Sequence, residues 1–287
     1  MTADSVDYAA WLGRRESVED VIAPGPAARL AATLDCEGPA PRAGDPLPPC
    51  WHWIYFLDAT LQTCLGPDGH GARGGFLPPV DLLRRMWAGG RIRFPAPLRI
   101  GETARRESEI VSITPKQGRR GRLVFVTVRH RVSGERGLAI EEEHDIVYRE
   151  APTPGEPAPS PEPPPVEAQW RRRVTPDPVF LFRYSALTFN GHRIHYDRDY
   201  VTRVEGYPGL VVHGPLLATL LLDLLRRERP GDTVARFDYR ALAPLFDSAP
   251  FEVAGAPATD GGSATLWAER PEGGMAMVGA ADFAVPA

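Results

Sequence analysis

Alternating apolar and polar residues predict strands in both halves of the chain. In the first half, three stretches alternate with a period of two residues, are enriched in β-branched side chains and are separated by glycines. This pattern is typical of an antiparallel meander with one buried face. The second half repeats it over four shorter stretches. The predicted strands are Arg105 to Ile113, Arg122 to Val132, Leu138 to Arg149, Thr233 to Leu242, Ala249 to Ala254, Ala264 to Arg270 and Met275 to Phe283.

A short and then a longer helical segment precede the strands of each half. Pro215 suits the first turn of the most apolar helix, and Arg226 and Arg227 suit its negative C-terminal end. One long buried helix against a curved antiparallel sheet, in each half, is an α+β architecture. The predicted helical segments are Ala28 to Leu34, Trp51 to Leu65, Tyr184 to Phe189 and Val212 to Leu225.

A proline-rich stretch divides the chain. Residues Ala151 to Pro165 contain eight prolines in fifteen positions and no large apolar side chain, so an extended polyproline II linker is expected. A loop within a single domain is the alternative. We expect a first domain over residues 1–150, a linker over 151–166 and a second domain over 167–287, which suits a chain of 287 residues.

Internal repetition supports this division. The tripeptide Ala-Pro-Leu ends at Leu98 in the first half and again at Leu245 in the second. The order of helical and strand segments around it is the same in both halves. Repetition of this kind indicates a degenerate duplication.

Composition and charge exclude several classes of protein. Hydrophobic residues at 43% and charged residues at 24% are typical of a soluble globular chain. The net charge of −4 gives no global field that would attract nucleic acid or an anionic membrane surface. The three cysteines lack metal-binding spacing, and no signal-like or membrane-spanning stretch is present in the sequence. We therefore expect a cytoplasmic protein with reduced thiols.

The densest polar cluster follows the third predicted helical segment. Asn190, His192, His195 and Asp197 lie within eight positions. Asn190 and the glycine after it form a good helix stop, so the following side chains should lie on a loop where they can converge. A histidine there titrates near neutrality, and a carboxamide can orient a water or a carbonyl. A polar capping loop with surface histidines is the alternative.

The start of the most apolar helix is a second candidate. His213, Gly214 and Pro215 lead into it. Free N–H groups at a buried helix N-terminus stabilise a developing oxyanion, and Gly214 permits close approach of a substrate. A plain Gly-Pro helix start would explain the proline but not the adjacent histidine.

The stretch Tyr184 to Asp197 resembles the hydratase motif of MaoC-like hotdog enoyl-thioester hydratases and dehydratases. Asn190 stands at the position of the motif's Asp, and His195 stands at its catalytic His. The form of the motif is similar to a subfamily that includes mesaconyl-C4-CoA and itaconyl-CoA hydratases and type 2 3-hydroxyacyl-thioester dehydratases. Further similarity to this subfamily lies in Trp51 to Leu57, Arg84 to Gly90 and Asp145 to Glu150.

The resemblance implies a double hotdog, in which two long helices, each wrapped by a curved antiparallel sheet, pack as a pseudo-dimer. It also implies a hydro-lyase that reversibly adds water to a 2-enoyl thioester, with His195 as the base and the N–H of Gly214 as the oxyanion donor. No cofactor or metal is implied. The substrate handle is coenzyme A or an acyl carrier protein, and a homodimer of double hotdogs is compatible with the family.

Asn190 departs from the family pattern because a carboxamide cannot exchange protons as Asp does. Asn190 would then position the water, while Asp197, His192 and His213 are the reserve catalytic or substrate-positioning residues. In the first half the equivalent helix ends at Asp35, and Ala40 rather than a histidine stands five residues later. The resemblance therefore implies one active site per chain, formed by the second half.

Other clusters suit structural roles better. Glu141 to Asp145 offers metal-ligand atoms, but neighbouring residues in a strand face opposite sides, so a solvated sheet edge is expected. Arg119 to Arg122 is a minor candidate for a phosphate, and Asp68 to Gly75 lacks a Walker lysine. The residues expected to be core thiols and surface imidazoles rather than zinc ligands are Cys36, Cys50, Cys64, His52 and His70. The residues expected in core and inter-half packing are Trp51, Trp53, Tyr55, Phe56 and Trp87.

Three functions are consistent with these features. The leading one is a hydratase or dehydratase of acyl-CoA thioesters, with a short branched dicarboxylic acyl group as one option. The second is a dehydratase of 3-hydroxyacyl groups on acyl carrier protein. The third is a non-catalytic acyl-binding subunit, against which the retention of both His195 and Gly214 argues.

Overall fold

The computed structural model describes residues 8–82, 84–118, 121–150 and 160–284. All seven predicted strands are present in it, and three more complete the set. The strands are Arg15–Val21 (β1), Arg84–Arg93 (β2), Thr103–Gly118 (β3), Gly121–Gly134 (β4), Gly137–Arg149 (β5), Trp170–Val174 (β6), Val234–Ala241 (β7), Phe251–Pro257 (β8), Ser263–Glu269 (β9) and Met275–Phe283 (β10). They form one antiparallel sheet in the order β1-β3-β4-β5-β2-β7-β10-β9-β8-β6.

The sheet has an internal two-fold pattern centred on the pairing of β2 with β7. From one edge the strands run β1-β3-β4-β5-β2, and from the other they run β6-β8-β9-β10-β7. Gly89 faces Arg240 and Gly90 faces Tyr239 across the central pair. A Cβ on Gly89 would lie 2.5 Å from the carbonyl oxygen of Tyr239, and one on Gly90 would lie 2.2 Å from its hydroxyl. The central strands meet because both positions lack a side chain.

Four helices accompany the sheet, and α4 is the long one among the described residues. It buries ten of its fifteen residues, mostly leucines, against β6, β8, β9 and β10. The sheet of the second half therefore wraps a long helix, as predicted. The helices are Pro24–Thr33 (α1), Pro178–Leu187 (α2), Arg198–Arg203 (α3) and Gly214–Glu228 (α4).

The prediction of a second long helix, over Trp51 to Leu65, is wrong. The structure has only two short 3-10 turns there, Trp51–Ile54 and Gln62–Cys64. Cys50 and Phe56 take left-handed φ values of 67° and 55°, which an α-helix excludes. The buried residues of this segment are nearly consecutive instead of spaced at 3.6 residues, so their apolar character does not specify a helix.

The repeated Ala-Pro-Leu occupies the same structural place in each half. Leu47 N donates to Leu98 O at 2.7 Å, and Val212 N donates to Leu245 O at 2.8 Å. Both leucines that end the tripeptide are buried. These paired contacts support the duplication.

A buried carboxylate ties the two halves together. Asp223, on α4, accepts hydrogen bonds from Arg172 and Arg226 at 2.6 Å each and from Arg227 at 2.8 Å. Arg172 and Arg227 also donate to the carbonyl oxygen of Leu34, at the end of α1. The arginines predicted to suit the end of α4 therefore also bind the end of a helix in the first half.

Residues 151–159 of the predicted linker lie outside the described residues, and the domain boundaries stay a prediction. Residues 160–165 are exposed, and Glu162 O accepts from Met275 N at 2.9 Å on the second half. No helix in the described part of the chain has the length and apolar character needed to cross a membrane.

We predict that Asp223→Ala lowers the free energy of unfolding by about 2 to 3 kcal/mol, because it leaves three partly exposed arginines without the buried carboxylate that they share. Denaturant titration of both proteins measures this change. The matched control is Asp199→Ala, which removes an aspartate from a fully solvent-facing pair with Arg203 on α3. It should change stability by less than about 1 kcal/mol, and equal losses in the two variants would contradict the prediction.

Candidate active site

Helix α2 ends in the predicted stop. Phe189 takes a left-handed φ of 48°, and Asn190 N donates to Ser185 O at 2.8 Å, which closes the helix. The Oδ1 atom of Asn190 accepts from His192 N at 3.0 Å. The chain therefore leaves α2 in a tight loop, and the carboxamide NH2 of Asn190 has no partner among the described residues.

His195 is a buried imidazole with a defined tautomer. Its Nδ1 lies 2.7 Å from the carbonyl oxygen of Val211. Because a carbonyl only accepts, Nδ1 carries the proton and Nε2 presents a lone pair. Burial lowers the pKa of His195 to about 4, against the opposing effect of the Val211 hydrogen bond. The side chain is therefore neutral near pH 7 and suited to accept a proton.

The imidazole of His213 packs against that of His195. The two rings stack with centroids 3.6 Å apart and planes 17° apart. The Nε2 of His213 lies 2.8 Å from Ser185 Oγ on α2, and its buried Nδ1 has no partner in the described chain. Burial lowers the pKa of His213 well below its ordinary value, and His195 adds to the effect. Two neutral imidazoles thus occupy the space between α2 and the start of α4.

Gly214 begins α4, as predicted, and its N–H donates to no acceptor in the described residues. The next residue, Pro215, has no N–H. A Cβ on Gly214 would lie 2.7 Å from Cε3 of Trp87, so an indole from the first half covers this helix end. The exposed dipole end of a buried helix stabilises negative charge on a nearby oxygen.

Asp197 has both carboxylate oxygens engaged. Oδ1 accepts from Tyr200 N at 3.0 Å and caps α3, while Oδ2 accepts from Arg193 at 2.7 Å. The hydrogen bond from Tyr200, followed by that from Arg193, holds the pKa of Asp197 below its ordinary value. These contacts favour a structural role over a catalytic one.

His192 lies at the seam between the halves, in a group that the sequence analysis did not identify. Its ring centroid is 5.4 Å from that of His195 and 4.0 Å from that of His70. His70 Nδ1 donates to Asp68 Oδ2 at 3.0 Å. Ligand atoms of Asp68, His70 and His192 lie within 4.8 Å of one another, so this group is where the described residues could hold a metal ion.

The histidines of this group are neutral and the aspartate is ionised. Burial lowers the pKa of His192 to about 2, and burial also lowers that of His70. Burial acts to raise the pKa of Asp68, but the hydrogen bonds from His70 outweigh it, so the pKa lies below the ordinary value.

A close backbone approach fixes the two loops against each other. A Cβ on Gly69 would lie 1.9 Å from the carbonyl oxygen of Gly191. Arg193 N donates to Asp68 O at 2.9 Å, and the Arg193 side chain donates to Pro67 O at 3.0 Å. The glycine-rich stretch Asp68 to Gly75 therefore packs directly against the loop that carries Asn190. Its glycine content was the available signal, but its partner loop could not be identified from sequence.

The expectation of a surface imidazole at His52 is wrong. His52 is buried, and its Nε2 lies 2.9 Å from Glu142 Oε2, which Trp53 Nε1 also approaches at 3.2 Å. The expected sheet edge at Glu141 to Asp145 is also wrong, since β5 lies between β4 and β2. Alternate residues of this run do face opposite sides, as predicted, so Glu142 is buried while its neighbours pair with surface arginines.

Two corresponding positions in the first half lack the site chemistry. Cys36 N donates to Ala31 O at 2.9 Å after a left-handed Asp35, which makes Cys36 the counterpart of Asn190. The sequence alignment of Asp35 with Asn190 was one residue out of register. The isolated bridges Pro46 to Arg99 and Val211 to Phe246 are equivalent in the two halves, so Pro49, which has no N–H, is the counterpart of Gly214.

Comparisons with known proteins agree with this geometry. Residues 50–247 match the family described as hydroxyacyl-thioester dehydratase type 2. Over 276 residues the chain is 53% identical to a mesaconyl-C(4)-CoA hydratase of Chloroflexus aurantiacus, covering 95% of this chain and 96% of that one. It is 29% identical to the mitochondrial hydroxyacyl-thioester dehydratase type 2 of Schizosaccharomyces pombe, covering 82% and 88% of the two chains.

A solved structure with a similar fold is the MaoC-like dehydratase of Phytophthora capsici, with a TM-score of 0.70 at 12% identity and coverage of 95% of both chains. This likeness confirms the predicted α+β double-hotdog fold, although the first half lacks its long helix. The family match and the high identity to a curated relative extend over most of the chain. The chain belongs to the hydroxyacyl-thioester dehydratase type 2 family of MaoC-like hydratases and dehydratases, and it is a hydro-lyase.

Proposed function

We propose that this protein hydrates 2-enoyl-CoA thioesters whose acyl group is short, branched and dicarboxylic, of the mesaconyl-C4 type. The observation that carries the proposal is the convergence of a neutral, buried His195 and the free N–H of Gly214 at one seam. The 53% identity to a mesaconyl-C(4)-CoA hydratase supports the acyl group and the coenzyme A handle. The catalytic roles of individual residues are part of this proposal.

The start of α4 binds the reacting carbonyl. The thioester oxygen accepts a hydrogen bond from Gly214 N–H, beside the Trp87 indole that occupies the space a side chain at this position would need. As water adds to C3, charge moves from the double bond to this oxygen. The helix dipole and the N–H stabilise the resulting enolate more than the neutral carbonyl, which lowers the barrier.

His195 handles the proton. Its Nε2 accepts a proton from water as the oxygen attacks C3, and the imidazolium then donates a proton to C2, which completes syn addition from one face. The Val211 carbonyl holds the ring through Nδ1 throughout. Stacking on His213 keeps the ring plane in place. In the reverse direction the same groups remove water from the hydroxyacyl thioester.

Asn190 positions the water. Its Oδ1 is occupied by the backbone of His192, so the side chain offers its NH2 group to the water oxygen and leaves the proton for His195. This division explains how a carboxamide can replace the carboxylate of the family motif. Asp197 caps α3 and takes no part in proton transfer.

The coenzyme A handle, a cytoplasmic location and assembly into a homodimer complete the proposal. An acyl carrier protein would need a basic docking surface around the entrance to the site. A direct competition between a coenzyme A thioester and the same acyl group on acyl carrier protein distinguishes the two handles.

The first experiment compares mesaconyl-C4-CoA, crotonyl-CoA and a long-chain enoyl-CoA as substrates, with mass detection of the added water. We predict the highest kcat/KM for mesaconyl-C4-CoA. His195→Gln should lower kcat by about 10²- to 10⁴-fold, because it removes the general base.

The control is His130→Gln, at a histidine of the first half bonded to Ser108 Oγ at 2.9 Å. This variant should keep its rate within a few-fold, provided that circular dichroism shows a native fold. A folded His195→Gln variant with a normal rate would contradict the assignment.

The pH profile should reflect the lowered pKa of His195, which is about 4 in the folded protein. Only the neutral imidazole accepts a proton, so kcat/KM should be level between about pH 8 and pH 6 and fall only as the pH approaches the folded pKa. Initial rates are measured across this range, and each sample is returned to neutral pH to separate protonation from acid unfolding. A half-maximal point near 6.5, the ordinary histidine pKa, would contradict the prediction.

Asp197→Asn should keep kcat within about 3-fold, because asparagine also caps helices. Asn190→Ala should lower kcat by about 10²-fold or more, because the attacking water loses its orientation. Steady-state rates with mesaconyl-C4-CoA measure both. A larger loss in Asp197→Asn than in Asn190→Ala would identify Asp197 as the acid instead.

A further inference from the structure

Arg85 lies on the face of β2 that covers the site. Residues two apart in a strand share a face, so Arg85 and Trp87 point the same way. The register is regular over this stretch, with Arg85 opposite Tyr148 and Trp87 opposite Ile146. Because Trp87 contacts Gly214, the Arg85 side chain starts about two residues, roughly 7 Å, along the strand from the proposed oxyanion donor.

The groups around Arg85 come from both halves. Arg85 pairs with Tyr148 of β5 across the sheet, and its guanidinium acts to lower the pKa of that hydroxyl against the larger effect of burial, which raises it. Its charge contributes, after burial, to the lowered pKa values of His70, His144 and His192. His192 in turn lies beside His195, with ring centroids 5.4 Å apart. Arg85 therefore faces neutral imidazoles next to the proposed base.

Arg85 has no carboxylate within 4.0 Å among the described residues, unlike Arg84 and Arg91. On the same strand, Arg84 pairs with Glu205 and Arg91 pairs with Asp145 at 2.8 Å. Arg73, also close to His70, donates to the carbonyl oxygens of Val80 and Leu82. Asp68 is the acid of this region, and its Oδ2 is bonded to His70.

A half-buried guanidinium loses hydration, and neutral imidazoles and a hydroxyl do not replace it. A bound anion would replace the hydration that the guanidinium loses. Guanidinium binds carboxylate through two parallel hydrogen bonds, which fixes orientation as well as charge.

We propose that Arg85 binds the free carboxylate of the acyl group and thereby makes the enzyme specific for dicarboxylic thioesters. This inference rests on the proposed function. In a mesaconyl-C4 thioester the carboxylate and a methyl group are both attached to C3, the carbon that water attacks. When C3 faces His195, this carboxylate lies on the side of the neighbouring His192, where the charge of Arg85 acts.

The phosphates of coenzyme A would be a second source of negative charge. The pantetheine arm separates them from the thioester, whereas Arg85 lies on the face that covers the reacting atoms. The two sources are distinguishable, because every coenzyme A thioester carries the phosphates and only some carry the second carboxylate.

The test uses Arg85→Met with two thioesters of the same shape. Mesaconyl-C4-CoA carries the carboxylate, and 3-methylcrotonyl-CoA has a methyl group in its place. We expect kcat/KM for mesaconyl-C4-CoA to fall by about 100-fold or more in the variant, while that for 3-methylcrotonyl-CoA changes by less than about 3-fold. Arg85→Lys should recover part of the loss, since it restores the charge without the planar fork.

Arg93→Met is the matched control, because Arg93 is an exposed arginine at the end of the same strand. It should leave both rates unchanged, and melting temperatures of all variants verify folding. Equal losses for the two thioesters in a folded Arg85→Met variant would overturn the carboxylate site and indicate phosphate binding or general positioning. Unchanged rates for both would also overturn it while leaving the hydratase function intact. If the wild-type protein hydrates no enoyl-CoA, the proposed function fails and the carboxylate site fails with it.

Discussion

The antiparallel pairing of β2 with β7 is the contact on which the site depends. It joins the two five-stranded halves into one sheet, and it requires glycine at positions 89 and 90, where a Cβ would collide with Tyr239. This pairing brings Trp87 against Gly214, with Arg85 on the same face of β2 as Trp87. A shift of one residue in the register would turn both side chains to the opposite face.

Burial between the two halves determines the protonation state of the histidines there. His192, His195 and His213 all have lowered pKa values because desolvation disfavours their charged forms. Neutral imidazoles suit a reaction that begins by taking a proton from water. The same burial leaves the helix dipole of α4 unscreened by solvent, so one low-dielectric space holds both the proposed base and the proposed oxyanion donor.

The first half lacks the residues of the candidate site but contributes groups beside the site in the second half. Pro49 and Cys36 stand at the first-half positions that correspond to Gly214 and Asn190. The first half therefore carries no copy of the candidate site. Its irregular segment, in place of a long helix, carries Asp68 and His70 to the loop of His192, where Gly69 meets Gly191. A regular helix would keep these residues within its own half.

Local sequence patterns were enough to predict several elements of the fold and of the candidate site. Strand alternation, the leucine-rich α4, the helix stop at Asn190 and the Gly-Pro start at Gly214 were all predictable, because each depends on residues adjacent in the chain. The hydratase motif identified His195 for the same reason. The absence of a helix at Trp51 was not predictable, since a run of consecutive apolar residues is compatible with a buried irregular segment as well as with a helix.

Which distant residues meet depends on the tertiary structure. The arginines around Asp223 bonded to the end of α1, His52 buried on Glu142, and the loop at Gly69 packed against the loop at Gly191 are contacts between segments far apart in sequence. Their geometry depends on sheet register and strand order, which no local pattern encodes. The chain therefore specifies the motif around His195 locally, while the burial that keeps its histidines neutral depends on the packing of segments far apart in sequence.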